Sequence, residues 1–141
     1  MAFLNSINIV GSAITAERFR VDTILQNISN QNTTRTASGG PYRRKMVAFQ
    51  TREMTFDEAL TKATGGGVRV TRIIESDKDL VPVYDPEHPD ADTDGYVFYP
   101  NVDNAREQVD LMAASRAYET QIETLKVVKA MANKALELGK R

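Results

Sequence analysis

The sequence predicts an elongated α+β protein in which long N- and C-terminal helices pair antiparallel, in the manner of a coiled coil, about a small central β-rich segment. Three observations lead there. Apolar residues recur at helical spacing along both ends of the chain. The middle alternates apolar and polar residues between turn signals, as strands do. That middle is too short to bury more than a small core, so it cannot cover helices much longer than itself. The chain accordingly divides into an N-terminal helical part (1–34), a central part (35–100) and a C-terminal helical part (101–141).

The first helix follows from Phe3, Ile7, Val10, Ile14, Glu17, Val21, Ile24 and Ile28, which step by four and three with one polar exception. Leu4, Gly11 and Leu25 widen the stripe, and Asn5 or Ser6 can cap its start. A helix from residue 5 to 32 would be about 40 Å long. It runs into the amide-rich strip QNISNQNTT, and the chain then turns at Gly39-Gly40-Pro41.

The centre opens with RRKMVAFQ, a strand that places Val47 and Phe49 on one face. TFDEALTKATGGG carries a Thr55–Glu58 capping box and stops at glycines, which predicts one short helix. GVRVTRIIES turns Val68, Val70 and Ile74 to one side of a second strand. LVPVY and GYVFYP are short extended pieces, with Pro82 suited to an edge, and between them lies the proline-bounded acidic loop DPEHPDADTD.

Pro100 ends the extended run, and Asn101 is the expected cap of the last helix. Leu111, Ala114, Tyr118, Ile122, Leu125, Val128, Ala132 and Ala135 trace one face. A helix over 102–138 would be about 55 Å long. Gly139, Lys140 and Arg141 give it a glycine stop and cations at the negative end of the dipole. Each helix therefore carries more apolar face than the centre can cover, and the surplus must meet the other helix, other chains, or both.

Composition excludes several function classes. The chain has no cysteine, so disulfides, thiol catalysis and thiolate metal sites are ruled out. No apolar run is long enough to span a membrane, and the opening residues lack the basic and apolar regions of a cleaved signal peptide. The net charge of −1 argues against a general nucleic-acid binder. The charge is unevenly laid out, with net positive ends and a strongly acidic stretch over 77–110. Basic ends around an acidic middle can attract one another between neighbouring copies, the alternative being a solvated acidic loop, and the trio Arg43, Arg44 and Lys45 reads as a bridge to an acidic loop on the same or a neighbouring chain.

Candidate chemistry is sparse. Asp90, Asp92, Asp94 and Gly95 match the opening of an EF-hand loop, D-x-D-x-D-G, but the position that should supply a bidentate glutamate is Asn101 and prolines stand where helices should flank it. A solvated turn with local aspartate caps is the better reading. His88 is the only histidine, which makes a zinc site hard to build. The glycines at 65–67 lack the lysine of a phosphate loop. No nucleophile–base set exists, and no cofactor is called for.

NISNQNTT followed by GPYRRK resembles the shared signature of flagellar axial proteins, with Asn27, Asn30 and Asn32 in the strip and Tyr42-Arg43 after the turn. YDPEHPDADTDGYVFYPNVD and LMAASRAYETQIETLK resemble the FlgC family, the proximal rod proteins of the bacterial flagellar basal body. Asn101-Val102-Asp103 and the run Ala114 to Glu119, including Ser115 and Arg116, are the most characteristic parts. The resemblance covers essentially the whole chain except 51–67. It implies a structural, non-enzymatic subunit, exported through the flagellar type III apparatus without a cleaved signal peptide. Such a subunit polymerises through its terminal helices into the hollow drive shaft that crosses the periplasm. Its implied partners are copies of itself, other rod proteins, the basal adaptor protein and the export apparatus. The amides of the strip are then expected to bond neighbouring subunits. The alternatives are another rod-family subunit, a soluble helical adaptor that forms a one-to-one complex, and a small hydrolase or calcium-dependent enzyme that a calcium titration would reveal.

Overall fold

The computed structural model describes residues 2–53 and 66–139. Helix α1 spans Ala2–Ser29 and helix α2 spans Asn104–Leu138, of 28 and 35 residues. Between them come strands β1 (Lys45–Thr51), β2 (Val68–Glu75), β3 (Val81–Tyr84) and β4 (Tyr96–Tyr99). The fold is α+β, with two packed helices and a small central region of two separate sheets.

The helices run antiparallel. Asn27, near the end of α1, bonds Glu107 in the first turn of α2, and further along the pair Arg18 and Val21 share a hollow with Ser115, Tyr118 and Glu119. Moving back along one helix is thus moving forward along the other. The apolar stripes are what the pair covers: Ile24 and Ala114 are buried, and Ile7, Val10, Ile14, Val21, Ile28, Leu111, Tyr118, Ile122, Leu125, Val128 and Ala132 are half-buried. Phe3 falls in the first turn of α1.

Both helix ends differ in detail from expectation. The cap of α2 is Asp103, not Asn101: its extended backbone (φ −95°, ψ 108°) lets its carboxylate accept from the amides of Ala105 and Arg106. Gly139 ends α2 in a right-handed conformation (φ −76°), so the stop uses no left-handed glycine. At the end of α1, the Asn30 side chain donates to the carbonyl of Gln26, and its own carbonyl accepts from Thr33.

β1 and β2 form an antiparallel hairpin laid along α1. Lys45 at one end is held by Asn27, and at the other end the amide of Val68 donates to Ser12 Oγ at 3.0 Å. The fifteen helical residues between those contacts rise roughly 22 Å, which about seven residues of strand also span. The crossing is close at Gly67, whose φ is +103° and where a Cβ would lie 2.4 Å from Ser12 Oγ. Val68, Val70 and Ile74 are the half-buried residues of β2, but they do not share one side as expected: the pairing skips Thr71, which leaves Ile74 on the face of Met46 and Val68 and Val70 on the face of Phe49. β1 is paired without a gap, so Val47 and Phe49 share a face as expected, and the extra residue of the ladder is Thr71 of β2. The pairing shifts by one residue between Ala48 and Phe49, and Phe49 is left 40% exposed while Val47 is half-buried. Such an irregularity leaves no trace in a hydrophobic pattern. The predicted helix with the Thr55–Glu58 box lies outside the described residues.

β3 and β4 form the second hairpin, with Tyr84 and Tyr96 in edge contact across the strands at 5.4 Å. Its connecting loop closes on itself. Asp85 donates to Gly95, Asp92 donates to Tyr96, and the Asp92 side chain accepts from the amide of Asp94 at 2.6 Å. Asp90 reaches back to Thr34 at 2.8 Å and Arg35 at 3.6 Å. Among the described residues no group of His, Cys, Asp or Glu side chains is placed to hold a metal ion.

Candidate functional site

The residues most fully committed to one another lie where α1 ends, α2 begins and β1 departs. A helix end leaves backbone groups without partners, and here the side chain of Asn27 draws three elements together. Asn27 is 0% exposed. Its Nδ2 donates to the carbonyl of Lys45 and to Glu107 Oε2, both at 2.9 Å. Its Oδ1 accepts from the Tyr42 hydroxyl and from the amide of Lys45, also at 2.9 Å each. Two donors and two acceptor positions are the full capacity of an amide, so Asn27 has nothing left for a neighbouring chain.

Glu107 is the second member, also 0% exposed. A buried carboxylate is tolerated only when charge and hydrogen bonds compensate it. Arg44 Nε donates to Oε1 while Asn27 holds Oε2, and Arg44 Nη2 also reaches Asp110 at 3.0 Å. The bridge expected from the basic trio to the acidic loop is not the one formed: Arg44 pairs with Glu107 and Asp110 at the start of α2, and the loop's Asp90 pairs with Arg35 instead. Lys45 Nζ lies 5.3 Å over the ring of Tyr42. The Tyr42 hydroxyl is held above its ordinary pKa, chiefly by burial and then by the carboxylates of Glu107 and Glu75.

Asn101 bridges from the far side. Its Oδ1 accepts from the amide of Arg44 at 2.8 Å, and its Nδ2 donates to the carbonyls of Ser76 and Lys78 at 3.3 and 2.9 Å. The guanidinium of Arg43 donates to the same two carbonyls. Asn27, Tyr42, Arg43 and Asn101, singled out separately in the sequence, are therefore parts of one junction. Asn30 caps α1 locally and Asn32 is exposed. Ser115 and Arg116 lie farther along α2, the first half-buried beside Val21 and the second exposed. Glu107 and Asp110 escaped the sequence reading, and Arg44 entered it only as a member of the basic trio. A signal existed for Glu107: it sits four residues before Leu111, on the upstream extension of the apolar stripe.

A second feature lies on the opposite side of α2. Val109, Met112, Val127, Met131 and Leu138 are exposed. Val109 and Val127 are separated by five helical turns and so share one azimuth, facing away from buried Ala114. The junction carries no arrangement for bond chemistry: its charged groups are spent on one another. What it does is fix the helix pair and the β1–β2 hairpin in one geometry, leaving the far face of α2 free.

Comparison with known proteins agrees with this architecture. Residues 93–138 match the family described as the C-terminal part of the flagellar basal body rod FlgEFG proteins. Over 99% of its length the chain is 41% identical to the flagellar basal-body rod protein FlgC of Bacillus subtilis, covering 100% of that protein. It is 44% identical to the FlgC of Salmonella typhimurium, over 99% of both chains. It is 39% identical to that of Borreliella burgdorferi, over 98% of both. With identity of this order sustained from end to end, the chain belongs to the FlgC family of flagellar basal-body rod proteins.

Proposed function

We propose that this protein is a structural subunit of the flagellar basal-body rod, and that it polymerises through the outer faces of its terminal helices into the hollow shaft that transmits torque. The observation that carries the helical part of this reading is the exposed apolar set on α2, Val109, Met112, Val127, Met131 and Leu138, on the face opposite α1. Exposed large apolar residues aligned over several turns indicate a surface that other chains cover. A polar junction that orders each subunit internally while leaving that face bare suits a building block better than a catalyst. The partners in this reading are copies of the chain, the other rod proteins and the adaptor at the base. Its place is the periplasmic section of the basal body, reached through the flagellar export apparatus without a cleaved signal.

The test is complementation. A strain lacking its own FlgC is given the double variant Val127→Asp, Met131→Asp. Both side chains are exposed in the isolated chain, so the purified variant should keep its secondary structure and thermal midpoint. Basal bodies should lack rods and cells should be non-motile. Normal rods in that strain would remove α2's outer face from the assembly.

A further inference from the structure

The two hairpins carry opposite charge and point to different parts of the molecule. From Asp79 to Asp94 the chain has six acidic side chains and no lysine or arginine. On that acidic background the β3–β4 hairpin exposes an aromatic face. Its register pairs Pro82 with Phe98 and Tyr84 with Tyr96, so these four share one side, and all four are exposed, Tyr84 at 66%. The β1–β2 hairpin is the reverse. Arg52, Arg69 and Arg72 are exposed and none is ion-paired among the described residues, and the register sets Arg69 and Arg72 on the same side of the sheet as exposed Met46. Arginine beside apolar side chains is the natural complement of tyrosines rimmed by carboxylates, since guanidinium stacks on rings and bonds carboxylates.

The fold keeps these surfaces apart within one chain. β1–β2 lies along α1 from the junction toward Ser12. β3–β4 is tied instead to Thr34 and Arg35, past the end of α1, and packs on neither helix and on neither strand of the other hairpin. The two complementary faces are therefore displaced from each other along the helix axis. Two different patches on one chain that fit each other generate a head-to-tail contact, which propagates or closes a ring instead of stopping at a dimer.

We propose that the acidic, aromatic β3–β4 hairpin of one copy docks on the basic β1–β2 hairpin of the next copy, a second contact beside the helical one. This rests on the reading that copies of the chain assemble with one another. It assigns the outer part of the molecule a specific partner surface: a twofold-free, salt-sensitive contact that fixes the spacing of successive copies.

The chain has no cysteine, which makes the test direct. In basal bodies carrying Arg72→Cys and Tyr84→Cys together, mild oxidation should give a ladder of covalent multimers, and either substitution alone should give none. A second measurement covers variants that assemble poorly. Arg69→Glu with Arg72→Glu, and separately Asp85→Lys with Glu87→Lys, should each lower rod yield by about tenfold, because like charges then face each other. The combination of all four should restore it. Absence of the ladder in intact rods, dimers only, capture of the Tyr84→Cys chain by a different rod protein, or no recovery in the fourfold variant would each overturn the proposal. The Val127→Asp, Met131→Asp variant separates the two readings. If it abolishes rods while the charge-reversed hairpins are tolerated, the helical reading stands and the hairpin contact falls. If it is tolerated too, the helical reading falls first.

Discussion

The junction at the start of α2 and the distal part of the same helix are built on different terms. Around Glu107 and Ala114 the helix is buried, its charges are paired across elements, and its neighbours come from the far ends of the sequence. From residue 120 onward no residue of α2 is fully buried, and its ion pairs, Lys126 with Glu123 and Lys134 with Glu137, are exposed contacts one turn apart. The comparison teaches that one helix can serve two purposes in series. Its first third completes the subunit, and the rest, with an apolar stripe toward α1 and another away from it, is a surface in waiting.

The largest expected effect falls on the junction. Arg44→Ala leaves the buried Glu107 without its cation, and removing one partner of a buried pair costs about 3–5 kcal/mol. Denaturant midpoints should record it. The double variant Arg44→Met, Glu107→Leu should recover most of the loss, because two apolar groups need no compensation. If the single variant is as stable as the parent, the contrast with the distal helix collapses.

Next comes the seam between the helices. Leu125 is half-buried toward α1, and Leu125→Ala should cost about 1–2 kcal/mol, below the value for a fully buried leucine. Val127→Ala, on the outer face, should fall within about 0.5 kcal/mol of neutral in the isolated chain. Equal effects at the two positions would mean that α1 does not cover the side assigned to it.

Tyr42→Phe should be milder still at neutral pH, about 0.5–1.5 kcal/mol for the bond to Asn27 Oδ1, which keeps the Lys45 amide. Its signature is alkaline. The Tyr42 hydroxyl is raised above 10.0 by burial, Glu107 and Glu75. Below the unfolded value both states hold the proton. As the pH rises past it, the unfolded chain releases its proton first, so folding stability falls. The phenylalanine variant should lose that part of the alkaline decline, and stability curves of the two proteins that stay parallel above pH 10 would contradict it. Smallest of all is Glu123→Gln, which removes an exposed pair and should change stability by less than about 0.5 kcal/mol.

Much of this was legible in the sequence and some was not, for reasons that differ by residue. The helices were readable because 3.6-residue periodicity is written in the chain itself, and the ends fell within a few residues of Ser29 and Asn104. The amide strip was readable as a helix end, but its partners were not, since Asn27 is met by Glu107 from 80 positions away. Glu107 draws its partners from far off in the sequence, and only its place on the apolar stripe points to burial. The cap was misread because Asn101 and Asp103 are both good caps, and the choice turned on Asn101 being taken by Arg44, Ser76 and Lys78. The shift at Ala48 and Phe49 arises from pairing with β2, which no single strand encodes.

That separation of 80 positions between Asn27 and Glu107 has a kinetic consequence. Closing a loop of that length costs on the order of 4 kcal/mol in chain entropy, and contacts so distant in sequence form slowly. A chain that emerges N-terminus first exposes Asn27 long before Glu107 exists to receive it. For most of its emergence α1 therefore lacks the partner that fixes its end, and the subunit acquires its final shape only when the first turn of α2 appears. The arrival of the first turn of α2, not the formation of α1, sets the moment of folding.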